Sequence, residues 1–196
     1  MPTMSNPIRY EFEPETYREW VINISLCKYS IGGCGTFSFF AGYDQGQLPT
    51  DPQNWVTSPN FIGSFCIFAD DVFTTRCSNC KDQAADHFRI EGTVHLTDWL
   101  IKEEYPLYVN EDTVSMLANT LNWRIYSVTH DCEVPLKAVP GLMVLVQSAA
   151  YETVYELVNG RVREISTKRE PWKIHTEVTE GKPGGVVNVS EFYLEE

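Results

Sequence analysis

The chain has 196 residues, of which 43% are hydrophobic and 21% charged, and its 15 basic against 27 acidic side chains give a net charge of −12. That length suits one generous domain able to bury roughly two thirds of its unfolded surface, which excludes extensive disorder and any need for disulfide or metal staples. The acidic balance excludes a nucleic-acid binder, which needs a basic stripe to displace counterions, and disfavours an anionic membrane surface.

Residues 1–15 are polar and read as a loose N-terminal arm, with 16–196 as a single domain. The opening residues show no apolar secretory run, and no stretch of 18 apolar residues exists to span a bilayer, so the chain is expected to be cytoplasmic. Trp20, Ile22, Ile24 and Leu26 alternate with Asn23 and Ser25, which is the period of a half-buried strand. Gly32-Gly33 then supplies a turn and 36–41 a second strand, so 20–41 is expected to form a hairpin. Prolines keep 48–55 irregular. Residues 62–68 are apolar enough for a strand, 70–86 read as a polar loop, and 89–96 alternate again with Ile90, Val94 and Leu96 inward.

Two short helices are expected next. Thr97 is placed as the cap of 98–103, and Asn110 as the cap of 111–120, where Val114, Leu117 and Leu121 fall at helical spacing. Strands are then expected at 122–129, 142–148, 151–158, 172–178 and 186–193, punctuated by Pro140-Gly141, Asn159-Gly160 and Pro183-Gly184-Gly185. The fold class is all-β, an antiparallel sandwich or barrel with one or two short helices.

No catalytic constellation is legible. His87, His95, His130 and His175 never fall three or four residues apart, so no helix presents a metal-binding pair. Phosphate-loop, dinucleotide and nucleophile-elbow motifs are absent. The four histidines read as surface or hydrogen-bonded structural residues. Cys27, Cys34, Cys66 and Cys132 read as free thiols in apolar segments.

The sharpest local signal is Arg76-Cys77-Ser78-Asn79-Cys80-Lys81. Two thiols with two residues between them can clamp one soft ion, and thiolates select Cu(I) or zinc over hard cations. Arg76 and Lys81 are expected to lower the thiol pKa values. The competing readings are two ordinary loop cysteines or a disulfide. A thioredoxin-like redox site needs a strand before the pair and a helix after it, which this polar context does not suggest. A structural zinc site needs four ligands, and only Asp86 and His87 are near in sequence. Two-coordinate Cu(I) is therefore preferred.

Several segments together resemble the C-terminal domain of fungal tyrosinases. They are Tyr17-Arg18-Glu19-Trp20-Val21-Ile22-Asn23-Ile24, Lys28-Tyr29-Ser30-Ile31-Gly32-Gly33, the stretches 48–55 and 58–64, the CxxC loop, Val94-His95-Leu96-Thr97, Leu121-Asn122-Trp123-Arg124 and Pro183-Gly184-Gly185. Their order matches over roughly 17–187. The resemblance implies a β-sandwich related to the haemocyanin C-terminal domain, which follows a catalytic domain whose two copper ions are held by six histidines. It implies that such a domain covers the copper site, fills the substrate position with an aromatic side chain, and helps load copper through its CxxC. Carried onto this chain, the transient Cu(I) ligands are Cys77 and Cys80. The plugging residue is Phe68, with Phe65 or Phe73 as alternatives. The six-histidine domain is not on this chain, so oxidase activity is not carried over. The leading expectation is an accessory protein that docks on a separately encoded, tyrosinase-like copper domain, with an apolar anchor at the interface. Phenol oxidation by the chain itself or within a split enzyme, and a metal-free structural sandwich, are the alternatives.

Overall fold

A computed structural model describes residues 15–42, 49–107, 111–158, 161–168 and 170–192. It is built mainly of antiparallel strands in two sheets. The first sheet runs β4 (Arg89–His95), β1 (Glu15–Cys27), β7 (Met143–Val158), β8 (Arg161–Lys168), with the short β9 (Lys173–Ile174) also pairing β7. The second runs β3 (Phe61–Ile67), β2 (Gly35–Phe40), β5 (Asn122–Ser127), β6 (Cys132–Val134).

β1 is central because its sequence is apolar on one face and small or amide-bearing on the other. Ile22 sits opposite Val94 of β4 and Val146 of β7. Trp20, Ile22, Ile24 and Leu26 are all fully buried against Phe37 and Phe39 of β2, Ile125 of β5, and Val144 and Val146 of β7. Each such side chain contributes about 1.5–3 kcal/mol relative to exposure. The opposite face of β1 is also covered at Ser25, whose hydroxyl accepts from Arg89 Nε at 3.0 Å and Nη2 at 2.8 Å. Arg89 Nη2 also donates to the Gly141 carbonyl, tying β4 to the turn before β7.

Edge strands β3 and β4 approach each other without pairing, because both carry a glycine there. A Cβ on Gly63 would stand 2.8 Å from Val94 Cγ1, and one on Gly92 would stand 2.4 Å from the Phe65 ring. The all-β expectation holds, with the two sheets curled towards one another into a half-barrel.

Four local expectations are corrected. Residues 20–41 are not a hairpin: β1 and β2 lie in different sheets, and the connection through Gly32 (φ 71°) and Gly33 (φ 144°) crosses between them. The presumed loop 70–86 contains α1 (Ser78–Ala85), a solvated helix with no buried residue. The two strands expected over 142–158 are one, β7 (Met143–Val158), because Ala149-Ala150 has no turn chemistry, and β8 follows as its hairpin partner. Beyond β9 the chain turns into α4 (Thr176–Thr179), and 189–192 form α5 (Val189–Phe192) rather than a strand. Helices α2 (Thr97–Lys102) and α3 (Glu111–Thr120) appear where expected. So the described residues hold more short helices than the one or two anticipated.

Thr97 does not cap α2. Its hydroxyl instead accepts the Trp20 N–H at 2.8 Å and donates to the Trp20 carbonyl at 3.3 Å, pinning the helix start to β1. Asn110 and most of the proposed arm lie outside the described residues; Glu15 opens β1. No helix among the described residues is long and apolar enough to cross a membrane.

Candidate copper-handling site

The cysteine pair stands at the end of a loop that leaves β3 and enters α1. Two aspartates shape that loop. The Asp71 carboxylate accepts the Phe73 N–H at 2.9 Å and the Thr74 hydroxyl at 3.1 Å, forming a tight turn. The Asp70 carboxylate accepts the Thr75 hydroxyl at 3.1 Å, and that hydroxyl in turn accepts the Cys77 N–H at 3.2 Å. The turn pushes its aromatic residue outward: Phe73 is 89% exposed, and Phe68 at the loop's start is 76% exposed.

Cys77 is the N-cap of α1, and its sulfur accepts the Cys80 N–H at 3.2 Å. The Cys80 thiol donates to Cys77 Sγ across 2.6 Å and lies 3.7 Å from the Asp70 carboxylate. Both cysteines are free and half-buried. Tyr29, at the end of β1, reaches over α1 to donate to Gln83 at 2.7 Å, with Cys80 beside it. The Lys28 N–H to Phe88 carbonyl bond extends the β1–β4 ladder and holds Tyr29 there.

The expected lowering of the thiol pKa by Arg76 and Lys81 is overturned for Cys80. Its hydrogen bond to Cys77, then burial and the Cys77 and Asp70 charges, push the Cys80 thiol up, against an opposing hydrogen bond from Tyr29. Tyr29 is itself raised, first by burial and then by its bond to Cys80.

Two soft sulfurs on one helical turn, within reach of solvent, suit a soft monovalent ion by donor chemistry. Metal–sulfur bonds of about 2.3 Å would require the sulfurs to part from their present contact by side-chain rotation. Asp86 and His87 follow the far end of α1, about 12 Å along the axis from Cys77, so they do not complete a structural zinc site. Among the described residues, no group of three or more His, Cys, Asp and Glu gathers in a metal-holding arrangement.

The three candidate aromatic plugs differ. Phe68 and Phe73 are exposed on the loop that leads into the thiols at the head of α1. Phe65 is half-buried, with its ring over Gly92 and packed on the core. Phe73 also forms one wall of a groove of about 300 Å³ completed by Tyr29, Val72, Ala84, His87 and Phe88.

The histidines are dispersed. His95 is exposed beside Glu19 at 3.2 Å, and His130 Nε2 meets the Gly32 carbonyl at 3.0 Å. His175 is fully buried, stacked on Trp20 at 4.6 Å, with Nε2 2.9 Å from Ser148 Oγ. Sequence reasoning missed Tyr29, Asp70 and Gln83 as neighbours of the thiols. Ten residues separate Asp70 from Cys80 and fifty-one separate Tyr29 from it, and no local periodicity links either to the pair.

Residues 19–146 match the tyrosinase C-terminal domain family. A tyrosinase of Neurospora crassa is 26% identical over 182 residues, covering 91% of this chain and 25% of that protein. A tyrosinase of Podospora anserina is 33% identical over 111 residues, covering 55% of this chain and 18% of that protein. The solved structure of recombinant mushroom tyrosinase (abPPO4) superposes with a TM-score of 0.51 at 20% identity, covering 84% of this chain and 26% of that one. The chain therefore spans about a quarter or less of the length of the curated relatives it matches.

Proposed function

The chain belongs to the tyrosinase C-terminal domain family, and we propose that it is a non-catalytic module that covers the copper site of a tyrosinase-like domain and hands it Cu(I). One observation carries this reading. A single short segment, the loop after β3 and the first turn of α1, holds two outward-facing phenyl rings and a solvent-reachable dithiol. The rings supply an apolar anchor of the kind that dominates binding energy at an interface. The sulfurs supply soft ligands that can pass an ion on by exchange of one thiolate at a time.

The four histidines stand apart, His95 in β4 and His87, His130 and His175 in connecting segments, and they fall short of the six that a paired copper centre of this family implies. In our reading the module docks on a tyrosinase-like catalytic copper domain, and it works in a reducing, cytoplasmic setting that keeps its thiols free. Phe73, the more exposed ring, and Phe68 enter the partner's substrate position; Phe65 stays on Gly92 and supports the loop.

The test uses a metal-free tyrosinase-like catalytic domain, Cu(I) held by a weak chelator, and catechol oxidation as readout. The intact chain should speed copper loading and then suppress turnover. Cys77→Ser with Cys80→Ser should abolish the first effect, and Phe73→Ala with Phe68→Ala should weaken the second. Equal loading and equal turnover with and without the chain would refute the reading. Catechol turnover by the copper-loaded chain alone, above that of free copper, would establish the enzymatic alternative instead.

A further inference from the structure

Cys77 and Cys80 are brought together by the first turn of α1 itself, with 2.6 Å between their sulfurs. A disulfide bond is about 2.05 Å long, so closing the pair requires only a fraction of an ångström of side-chain motion. The sequence context argued against a redox pair because no helix was expected after it. The structure supplies that helix, eight residues long, with Cys77 as its N-cap.

The two sulfurs are not equivalent. Cys77 Sγ accepts two hydrogen bonds, from the Cys80 N–H and the Cys80 thiol, at the positive end of α1. Cys80 Sγ sits one turn inside, donating to Cys77 and facing the Asp70 carboxylate. Cys77 Sγ thus stands at the head of the helix, while Cys80 lies directly behind it.

We propose that Cys77 and Cys80 are a dithiol–disulfide couple that exchanges with small-molecule disulfides of the glutathione class, Cys77 attacking and Cys80 resolving. Cys77 Sγ, having lost its proton to solvent, attacks one sulfur of the external disulfide. The external S–S bond breaks, a Cys77 mixed disulfide forms, and one thiolate leaves and takes up a proton. Cys80, deprotonated in turn, attacks Cys77 Sγ, expelling the second thiolate, which is protonated likewise. Two protein thiols are oxidised to one disulfide, and one external disulfide is reduced to two thiols. Closure removes both thiolates as ligands, so the reaction would also switch off Cu(I) binding. That consequence rests on the copper reading above, whereas the exchange does not.

The test uses the full chain, metal-free, equilibrated in graded mixtures of reduced and oxidised glutathione and quenched with N-ethylmaleimide. Trypsin cuts after Arg76 and Lys81, releasing a peptide that contains Cys77 and Cys80 and no other cysteine. This peptide should pass from a doubly labelled form to an unlabelled one two hydrogens lighter than the free dithiol peptide. Cys80→Ser should stop at a glutathione mixed disulfide on Cys77, and Cys77→Ser should form its mixed disulfide at least about tenfold more slowly. A peptide that stays doubly labelled, or carries glutathione on both sulfurs, overturns the proposal. Equal rates for the two variants overturn the assignment of roles within it. Because no metal is present, failed exchange with intact Cu(I) binding would sink this inference alone, and the converse would sink only the copper reading.

Discussion

Acidification should destabilise this domain through one residue, His175. Its ring is fully buried, flat on Trp20, with Nε2 bonded to Ser148 and Nδ1 facing the Glu177 carboxylate at 3.5 Å. Burial pushes its pKa below the ordinary value of 6.5. Glu177 opposes this, and the Lys173 and Arg18 charges reinforce it. Below about pH 6.5 the unfolded chain therefore binds a proton that the folded chain refuses, and stability must rise with pH across that window. The contribution is fully present above the unfolded pKa and is lost as pH falls below it. One proton sets the limiting slope at about 1.4 kcal/mol per pH unit. Urea unfolding between pH 5 and 7.5, on the natural chain and on His175→Gln, isolates the effect. Glutamine keeps a hydrogen-bonding group for Ser148 but does not titrate. Its loss of the Trp20 stack costs about 0.5–1.5 kcal/mol at every pH, an offset and not a slope. The natural chain should lose stability on acidification more steeply than the variant. Parallel curves would show that His175 charges freely inside the fold and would refute the reasoning.

Two further outcomes follow from the packing between strands. Gly92→Ala places a methyl group 2.4 Å from the Phe65 ring and should cost about 1–3 kcal/mol in thermal or urea unfolding, with Phe65→Leu in the same chain recovering part of it. A silent Gly92→Ala would mean that Phe65 is free to leave its seat. Arg89→Met strands the buried Ser25 hydroxyl and the Gly141 carbonyl and should cost about 1–3 kcal/mol, reduced when Ser25→Ala is added; an additive pair would show that the contact carries nothing.

The strands that bury one clean face were legible in the chain. β1 announces itself because Trp20, Ile22, Ile24 and Leu26 must share a side. Its neighbours were not legible, because alternation fixes which way a side chain points and not which strand lies beside it. The connection 28–34 has turn residues that suit a hairpin equally well, and only the register of Ile22 with Val94 and Val146 reveals the crossing. The sequence of α1 reads as a loop because none of its residues is buried, so it has no apolar stripe to give a helical period. Residues 172–178 looked like a strand, but His175 and Val178 are buried by a turn into α4. At the site, spacing alone singled out Cys77 and Cys80. The outward aim of Phe73 comes from the Asp71 turn, and the presence of Tyr29 and Asp70 at Cys80 is a product of tertiary structure.

Copper handling requires the dithiol at the head of α1 to take a soft ion. Anaerobic titration of the reduced chain with Cu(I) against a coloured competing chelator measures this directly. One ion should be withdrawn from the chelator per chain, and none when Cys77→Ser and Cys80→Ser are combined in a chain that melts like the original. Equal withdrawal by both proteins, or none by either, would contradict it.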